Sequence, residues 1–469
     1  MPAKHERSEL QVHAERAVLA AVRLPDSTYD PRDPFGELRE LAHQAGAIVV
    51  GELTQRLEKP IPATYMGSGK VNELKALCET LDAKTIIFDH DLSPKQISNI
   101  EKETQRKVVD RSELILDIFA SRATTREAQL QVEIAQLEYT YPRLKAMWDH
   151  LERIVGSGGI GGIGTRGPGE MQLEIDRRLV QRKKVLLKRE LEEIQGRRKR
   201  EVQARKREHF TVGIVGYTNA GKSTLFNTLT AGGAYADDRL FATLMTRTRQ
   251  WDLGGGLSVM LSDTVGFVRD IPHHLVASFK ATLEEATHAD LLLIVLDVSD
   301  PACEIHYATV QKVLAEMFEE LREAGETDPE PPRVVLLNKA DKLDDNSPLL
   351  VWGRKVPDSI PLCSLPVPDA LGQAALGDLV RAAAMGDVKV FDVTVPLADA
   401  KTISIIENRG EVLDRTYDDK HVTLRARIGT RQLAMLRSAG ARLDAATTDG
   451  QRVEIAPHRA DPARAGWDT

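Results

Sequence analysis

The sequence predicts an α/β protein with an N-terminal α/β domain, an antiparallel helical hairpin, a second α/β domain and a small C-terminal α+β domain. Three observations predict this class. Apolar strand-like runs alternate with amphipathic helical stretches over residues 17–120 and again over residues 209–385, which is typical of largely parallel sheets. A seven-residue apolar repeat between these regions is typical of paired helices. A shorter mixture of strand and helix patterns begins near residue 386.

Composition limits the possible classes of protein. The 469 residues, 42% hydrophobic and 28% charged, suit a globular protein of roughly three domains. Cys78, Cys303 and Cys363 are far apart in the sequence, so we expect buried free thiols in a reducing compartment. The N-terminus lacks the apolar core of a signal peptide, and no run of about 18 apolar residues occurs. We therefore expect a cytoplasmic protein with no membrane span, and separately we expect a monomer.

The N-terminal domain is predicted over residues 1–120. Strand patterns lie at residues 17–24, 47–54 and 84–90, and helical patterns lie at residues 35–46, 70–83 and 93–103. The GSGK run at residues 67–70 resembles part of a phosphate-binding loop. However, Thr64 stands where the first glycine is needed and Val71 stands where serine or threonine is needed, so we interpret the run as a turn before a helix.

The helical hairpin is predicted over residues 121–208. Its apolar seams are formed by Leu130, Leu137, Leu144 and Leu151 and, after a glycine-rich connection, by Leu173, Val180, Leu187 and Ile194. Two helices with matching seams and a short connection should pair antiparallel. Pro142 lies within the first seam, so we expect a kink or a local break there.

The connection reads GSGGIGGIGTRGPG, residues 156–169, and eight of its fourteen residues are glycine. A helix precedes it instead of a strand, so its loose G-x-G-x-x-G pattern is not a dinucleotide loop. Ordering glycine is costly, and the run is either a flexible tip or a probe that becomes ordered on a partner. Residues 174–208 carry fourteen Lys and Arg against seven Asp and Glu, whereas the whole chain has a net charge of −7. This asymmetry favours a polyanionic partner, with a solvated helix face as the alternative.

The third domain, residues 209–385, contains TVGIVGYTNAGKST, in which an apolar strand leads into a glycine-rich loop and then a helix. This is the phosphate-binding loop in its proper context. Backbone N–H groups and the helix N-terminus favour phosphate. Lys222 supplies a charge for the β and γ phosphates, and the Ser223 hydroxyl is placed to hold Mg²⁺. A D-x-x-G motif follows, in which Asp263 can bind Mg²⁺ through water and the Gly266 N–H can detect the γ-phosphate.

The NKAD run at residues 338–341 follows another apolar strand and selects the base. The Asp341 carboxylate can accept hydrogen bonds from both N1–H and N2–H₂ of guanine. Adenine offers no such pair of donors and would leave the carboxylate unsatisfied, which is a strong basis for discrimination. The motifs therefore predict a protein that binds GTP and GDP and hydrolyses GTP. A P-loop ATPase or kinase is the alternative.

Together these motifs resemble those of translation-factor-class GTP-binding proteins, and further residues narrow the resemblance to the HflX family. They are ATYMGSGKVNEL, RATTREAQLQVEIAQLEY, GGIGTRGPGE, FATL and DTVGFVRDIPHHLV. The resemblance implies a ribosome-associated P-loop GTPase that binds the large ribosomal subunit and its rRNA and helps to split or rescue stalled ribosomes. It also implies a cytoplasmic protein at the ribosome or at the membrane periphery. Ribosome assembly is the alternative task.

The resemblance also implies roles for residues at matching positions. Thr243 of FATL would complete the Mg²⁺ site with Ser223, and Lys222, Thr243 and Gly266 would be catalytic. The expected nucleotide contacts are Gly216, Tyr217, Thr218, Asn219, Ala220, Gly221, Lys222, Ser223, Thr224, Phe241, Ala242, Thr243, Leu244, Asp263, Thr264, Val265, Gly266, Asn338, Lys339, Ala340, Asp341, Cys363, Ser364 and Leu365. The chain departs from the family after FATL, where residues 245–249 read MTRTR in place of Asp-Pro-Thr-Thr-Arg.

Two further positions predict how hydrolysis proceeds. Phe267 directly follows D-x-x-G, where many GTPases have a glutamine that aligns the attacking water. An apolar ring cannot hydrogen-bond to water, so we expect slow intrinsic hydrolysis that a partner accelerates. Asn219 stands where related GTPases without that glutamine hold a K⁺ ion. A hydrogen bond that braces the loop is the alternative, and exchange of K⁺ for Na⁺ distinguishes the two.

The C-terminal α+β domain is predicted over residues 386–455. The tail, residues 456–469, is polar and contains Ala, Arg and Pro, so we expect it to be disordered. A purely structural coiled-coil scaffold remains as a different class of function, and such a protein would bind its partner regardless of nucleotide.

Overall fold

The structure is a computed structural model, and it describes most of the chain. The described residues are 15–25, 29–30, 32–156, 168–230, 246–254, 257–269, 288–323, 325, 330–438 and 441–447, without the side chains of 142–156, 168–177, 198–199, 201–208 and 438. The hairpin tip at 157–167, the FATL run at 241–244 and the tail at 456–469 lie outside them.

The first sheet contains four parallel strands in the order β2-β1-β3-β4. The strands are β1 (Arg16–Arg23), β2 (Ile48–Arg56), β3 (Thr85–Phe88) and β4 (Lys107–Val109), and the helices are α1 (Gly36–Gln44), α2 (Ser68–Thr80), α3 (Pro94–Thr104) and α4 (Arg111–Arg122). The first strand is buried along almost its whole length, because helices cover both faces of a parallel sheet. Ser93 and Gln96 form a capping box that starts α3. The GSGK run is not a phosphate-binding loop, but it is also not a separate turn before the helix, since Gly67 is the N-cap of α2 and residues 68–70 form its first turn.

The helical hairpin consists of α5 (Arg126–Gly156) and α6 (Pro168–Glu208). Leu130 and Ile134 pack against Leu187, so residues of the predicted seams do meet. Arg126 pairs with Glu190, and Lys183 pairs with Glu133. Of the kink or local break expected at Pro142, the break is wrong, since α5 continues through this residue. One lost backbone hydrogen bond costs less than ending a helix whose seam is buried against its neighbour.

The second sheet contains six strands in the order β10-β9-β8-β5-β7-β6, all parallel except β6. The elements are β5 (Thr211–Gly216), β6 (Arg247–Asp252), β7 (Ser258–Asp263), β8 (Leu291–Asp297), β9 (Arg333–Asn338) and β10 (Ile360–Pro361), with α7 (Lys222–Leu229), α8 (Cys303–Glu323), α9 (Ser347–Lys355) and α10 (Gln373–Met385). The phosphate loop, D-x-x-G and NKAD follow β5, β7 and β9 respectively. The carboxyl ends of these parallel strands share one edge of the sheet, where ligands bind in open α/β folds.

The third sheet is antiparallel, with the order β12-β13-β11-β14. Its elements are β11 (Val388–Pro396), α11 (Ala400–Arg409), β12 (Glu411–Tyr417), β13 (His421–Gly429), α12 (Thr430–Ser438) and β14 (Asp444–Thr447). Gln432 of α12 is buried and donates a hydrogen bond to the Ala384 carbonyl of α10 at 3.1 Å. The C-terminal sheet and its helices thereby contact the second α/β region.

The three cysteines are free and buried, as expected from their spacing. Burial raises the pKa of the Cys78 thiol to about 11, so this thiol is unreactive at neutral pH. Among the described residues, no helix is both long enough and apolar enough to cross a membrane.

Candidate nucleotide-binding site

The phosphate loop connects β5 to α7 through residues that require unusual backbone angles. Gly221 has a φ of +95° and stands at the N-cap of α7. A Cβ at this position would lie 2.2 Å from Asn338 Nδ2, so no larger residue fits. The N–H groups of the first helical turn have no partner within the helix and form a site for anions.

Lys222 is the first residue of α7, and its side chain is 6% exposed. Its Nζ donates a hydrogen bond to the Tyr217 carbonyl at 2.6 Å. Burial lowers the pKa of Lys222 to about 8, although Asp263 opposes the shift. A buried ammonium with a lowered pKa gains most from an anionic ligand, because phosphate oxygens would replace its lost hydration.

Ser223 and Asp263 bring two oxygen ligands together beside Lys222. The Ser223 hydroxyl donates to Asp263 Oδ2 at 2.8 Å, and Asp263 is fully buried. Hydroxyl and carboxylate oxygens are the ligands that Mg²⁺ prefers, and it usually takes only one or two from protein beside substrate phosphates. The pair therefore fits a Mg²⁺ ion. Thr243, the third residue expected here, lies outside the described residues.

The D-x-x-G segment, Asp263 to Gly266, lies directly on the phosphate loop. The Phe267 N–H donates to the Gly216 carbonyl at 3.0 Å, and the Thr218 N–H donates to the Phe267 carbonyl at 2.8 Å. These bonds make a short parallel bridge between Tyr217 and Phe267. Backbone hydrogen bonds on both sides of Tyr217 thus hold the segment against the phosphate loop.

The base-reading motif is braced against the phosphate loop. Asn338 donates from Nδ2 to the Ala220 carbonyl at 2.7 Å and accepts from the Ser364 hydroxyl at 2.5 Å. Lys339 pairs with Asp297 at 2.6 Å. The Asp341 carboxylate is exposed in the short 3₁₀ helix Ala340–Lys342, where a base can reach it.

The structure brings most of the predicted residues together at one sheet edge. Residues 363–365 lie beside NKAD, since the Ala340 N–H donates to the Leu362 carbonyl at 3.2 Å. Thr224 lies in the first turn of α7, and Asn219 is exposed with a φ of 60°. Phe241, Ala242 and Leu244, like Thr243, lie outside the described residues.

Two nearby residues were missed by sequence reasoning. Asp297 ends the apolar strand β8 and pairs with Lys339, and a carboxylate at a strand end could have indicated it. Thr228 of α7 donates to the Ser364 carbonyl at 2.7 Å. Nothing in the local sequence distinguishes Thr228 from any other helical threonine.

The fold and this site define a P-loop GTPase. A model described as the GTP-binding GTPase N-terminal region matches residues 32–120, one described as the GTP-binding GTPase middle region matches residues 122–207, and one described as a 50S ribosome-binding GTPase matches residues 211–339.

Relatives give the particular family. The GTPase HflX of Caldanaerobacter subterraneus is 38% identical over 426 residues, covering 90% of this chain and 92% of the relative. The GTPase HflX of Escherichia coli is 44% identical over 313 residues, covering 66% and 70%. A crystal structure of a GTP-binding protein from Sulfolobus solfataricus with GDP is 26% identical with a TM-score of 0.40, covering 79% of this chain and 98% of that one. The chain belongs to the HflX family of GTPases, and it hydrolyses GTP to GDP and phosphate.

The lowered pKa of Lys222 predicts a pH dependence of nucleotide binding. Phosphate raises the pKa of the bound lysine, so binding takes up a proton wherever the free side chain has lost one. Because the free pKa is about 8, affinity should be constant below pH 8 and fall above it, by up to about tenfold per pH unit. Calorimetry in buffers of different ionisation enthalpy measures the uptake. The Lys222→Arg variant stays charged and should show none, so equal uptake in both proteins would assign it to another group.

Proposed function

We propose that this GTPase associates with the large ribosomal subunit in a nucleotide-dependent way and acts in splitting or rescuing stalled ribosomes. The observation that carries the proposal is the basic helix α6, which lies two residues before the strand that leads into the phosphate loop. The match of residues 211–339 to a model described as a 50S ribosome-binding GTPase supports the same partner. Ribosome assembly is the second candidate task.

The hairpin presents positive charge to a partner along α6. Arg182, Arg189 and Arg197 are exposed, while Lys184 and Lys188 pair with Glu138 of α5. The ion pairs hold the two helices together, and the exposed arginines suit the phosphates of rRNA. Arg166 and the glycine-rich tip belong to the same proposal as a probe that becomes ordered on RNA, although they lie outside the described residues.

At the nucleotide site, we assign roles from the contacts described above. Lys222 and the N–H groups of α7 bind the β and γ phosphates, and the Gly266 N–H detects the γ-phosphate. Ser223 and Thr243 would hold Mg²⁺, and Asp263 would bind it through water; the ion would neutralise charge on the phosphates. Asp341 reads guanine, while Asn338 and Ser364 position the base loop against the phosphate loop.

The rate of hydrolysis depends on how water is aligned. The Phe267 ring is fully buried, so it offers no group to orient water beside the γ-phosphate. We assign slow intrinsic hydrolysis to this feature and stimulation to the partner that orders the switch segments. The exposed Asn219 remains the proposed ligand of a K⁺ ion. The protein is proposed to work as a monomer in the cytoplasm, where ribosomes are.

Co-sedimentation with purified large ribosomal subunits tests the proposal. Binding should be strong with a non-hydrolysable GTP analogue and weak with GDP. The logarithm of the binding constant should fall linearly with the logarithm of the salt concentration, with a slope of about −0.7 to −0.9 for each phosphate contact. Joint replacement of Arg182 and Arg189 by glutamine should reduce the magnitude of this slope by about 1.4–1.8 if each arginine contacts one phosphate. The matched control replaces the exposed Lys401 and Lys420 of the C-terminal sheet region by glutamine. This variant should leave the salt slope unchanged. Binding that ignores both nucleotide and salt would overturn the proposal.

A further inference from the structure

A largely buried cluster of charges joins the N-terminal α/β region to the nucleotide site. Glu37 of α1 and Asp89, which follows β3, come from the first region. Arg269 lies three residues after Gly266, and Arg111 begins α4. Arg111 pairs with Asp89 at 2.7 Å and with Glu37 at 3.0 Å, and Arg269 pairs with Asp89 at 3.0 Å. Glu37 and Asp89 of the N-terminal region thus bind Arg269, which lies in the nucleotide-binding region.

The phosphate loop itself takes part in the cluster through Tyr217. Its hydroxyl donates to Glu37 Oε1 at 2.6 Å and accepts from the Arg269 N–H at 2.9 Å. The Tyr217 ring stacks on His306 of α8 with centroids 3.8 Å apart, which fixes the direction of the hydroxyl. Burial alone would raise the pKa of Glu37, but Arg111 and Arg269 lower it overall. Glu37 is therefore a carboxylate at neutral pH, and it can accept hydrogen bonds from both Tyr217 and Arg269.

The cluster lies next to a D-x-x-G segment that packs closely against Lys222 and the phosphate loop. A Cβ built on Gly266 would lie 2.9 Å from Lys222 Nζ and 2.9 Å from Thr218 Cα. Gly266 is thus nearly in contact with the lysine and the loop backbone. A phosphoryl group bound between the Gly266 N–H and Lys222 would need van der Waals space on both sides. A terminal phosphate bound here therefore requires the segment or the Lys222 side chain to shift, whereas the diphosphate of GDP makes no such demand.

Movement of D-x-x-G must strain the cluster, because the two are adjacent in the chain. The Phe267 backbone is hydrogen-bonded to the residues on both sides of Tyr217. Arg269 lies two residues after Phe267. The Arg269 backbone N–H also donates to Glu37 Oε1 at 3.2 Å. Displacement of Gly266 therefore pulls on backbone and side-chain bonds to Glu37 at once.

We propose that Glu37, Asp89, Tyr217 and Arg269 are positioning residues that set the preference of this GTPase between GDP and GTP. They hold D-x-x-G on the phosphate loop and so favour GDP. GTP binding displaces D-x-x-G and separates Arg269 from Glu37 and Asp89. By linkage, release of the N-terminal region raises GTP affinity by the same factor by which GTP favours release.

Nucleotide titrations of full-length variants test the proposal. Arg269→Gln and Glu37→Gln should each raise the affinity for a non-hydrolysable GTP analogue about tenfold, within the usual range of coupling between sites. Affinity for GDP should change less than twofold. The matched control is Arg39→Gln, since Arg39 pairs with Asp33 and Glu52 of the N-terminal region alone, and neither affinity should change. Equal changes for GDP and the analogue in Arg269→Gln would overturn the proposal.

Removing one partner of a buried ion pair can unfold a protein, so a second measurement uses the unaltered chain. Amide hydrogen exchange of α1 and of residues 89–91 is compared between the GDP-bound and analogue-bound states. The analogue should increase exchange in both segments, because it releases Glu37 and Asp89 from Arg269. Equal protection in the two states would contradict the proposal. The conservative Tyr217→Phe variant, which loses only the hydroxyl, should shift the affinity ratio in the same direction as Arg269→Gln.

Discussion

Replacing Asp341 by asparagine is expected to change the nucleotide preference from guanine to xanthine by about 10⁴-fold, the scale of discrimination reached by a site built to hydrogen-bond its ligand. Asp341 is exposed beside a base loop that Asn338 and Ser364 brace, so the variant should retain the shape of the site. An asparagine amide can donate to the 2-oxo group of xanthine, whereas it would face the 2-amino group of guanine donor to donor.

Competition among GTP, XTP and ATP for the purified variant measures this change. Asp344→Asn is the matched control, because Asp344 is also exposed and lies three residues further along the same segment; its preference should stay with GTP. A variant at Asp341 that still prefers GTP over XTP would show that another group reads the base. A preference for ATP in the unaltered protein would favour the ATPase alternative.

Replacing Gly221 by alanine is expected to lower nucleotide affinity strongly, on the scale of the loss of about 10²-fold in rate that a misplacement of reacting groups by about 1 Å can cause. The new Cβ would lie 2.2 Å from Asn338 Nδ2, at a position with a φ of +95°. Asn338 would have to move, and its bond to the Ala220 carbonyl would break. The phosphate loop and the base loop would then lose their connection, and the strained backbone itself costs about 1–3 kcal/mol.

Thermal unfolding of the Gly221→Ala variant measures the cost of the strained backbone, and nucleotide titration measures the loss of the connection between the two loops. Gly353→Ala is the control, since a Cβ on Gly353 meets nothing within 4 Å and its backbone sits in α9. Alanine there should stabilise the protein by about 0.5–1 kcal/mol and leave affinity unchanged. Normal affinity in Gly221→Ala would show that the contact with Asn338 does not position the site.

Local patterns in the sequence predicted most of the α/β fold, because its longer strands and helices carry their own periodicity. Strand β1 is a continuous apolar run, and α3 starts with Ser-Pro. The short strands β4 and β14 have three and four residues, too few for a periodic pattern, and they were missed. Helix α4 was also missed, since seven of its twelve residues are buried and little polar face remains.

The same reason separates the predicted from the unpredicted parts of the site. The phosphate loop, D-x-x-G and NKAD are contiguous motifs whose chemistry depends on neighbours in the chain. The contact between Arg269 and Glu37 joins residues 232 positions apart, and each is an ordinary charged residue in its own context. Only the folded arrangement shows that their charges meet. Pro142 illustrates the opposite error, because a local rule predicted a kink or a break and α5 continues without a break.

We propose that this site hydrolyses guanine nucleotides under the control of the large ribosomal subunit. The most direct measurement is phosphate release from GTP by the full chain with Mg²⁺, alone and with purified large subunits, beside the same measurement with ATP. GTP hydrolysis should be slow alone and strongly stimulated by the subunits, and ATP should give no stimulated release. GTP hydrolysis that large subunits do not stimulate, or ATP hydrolysis that they stimulate equally, would contradict this proposal.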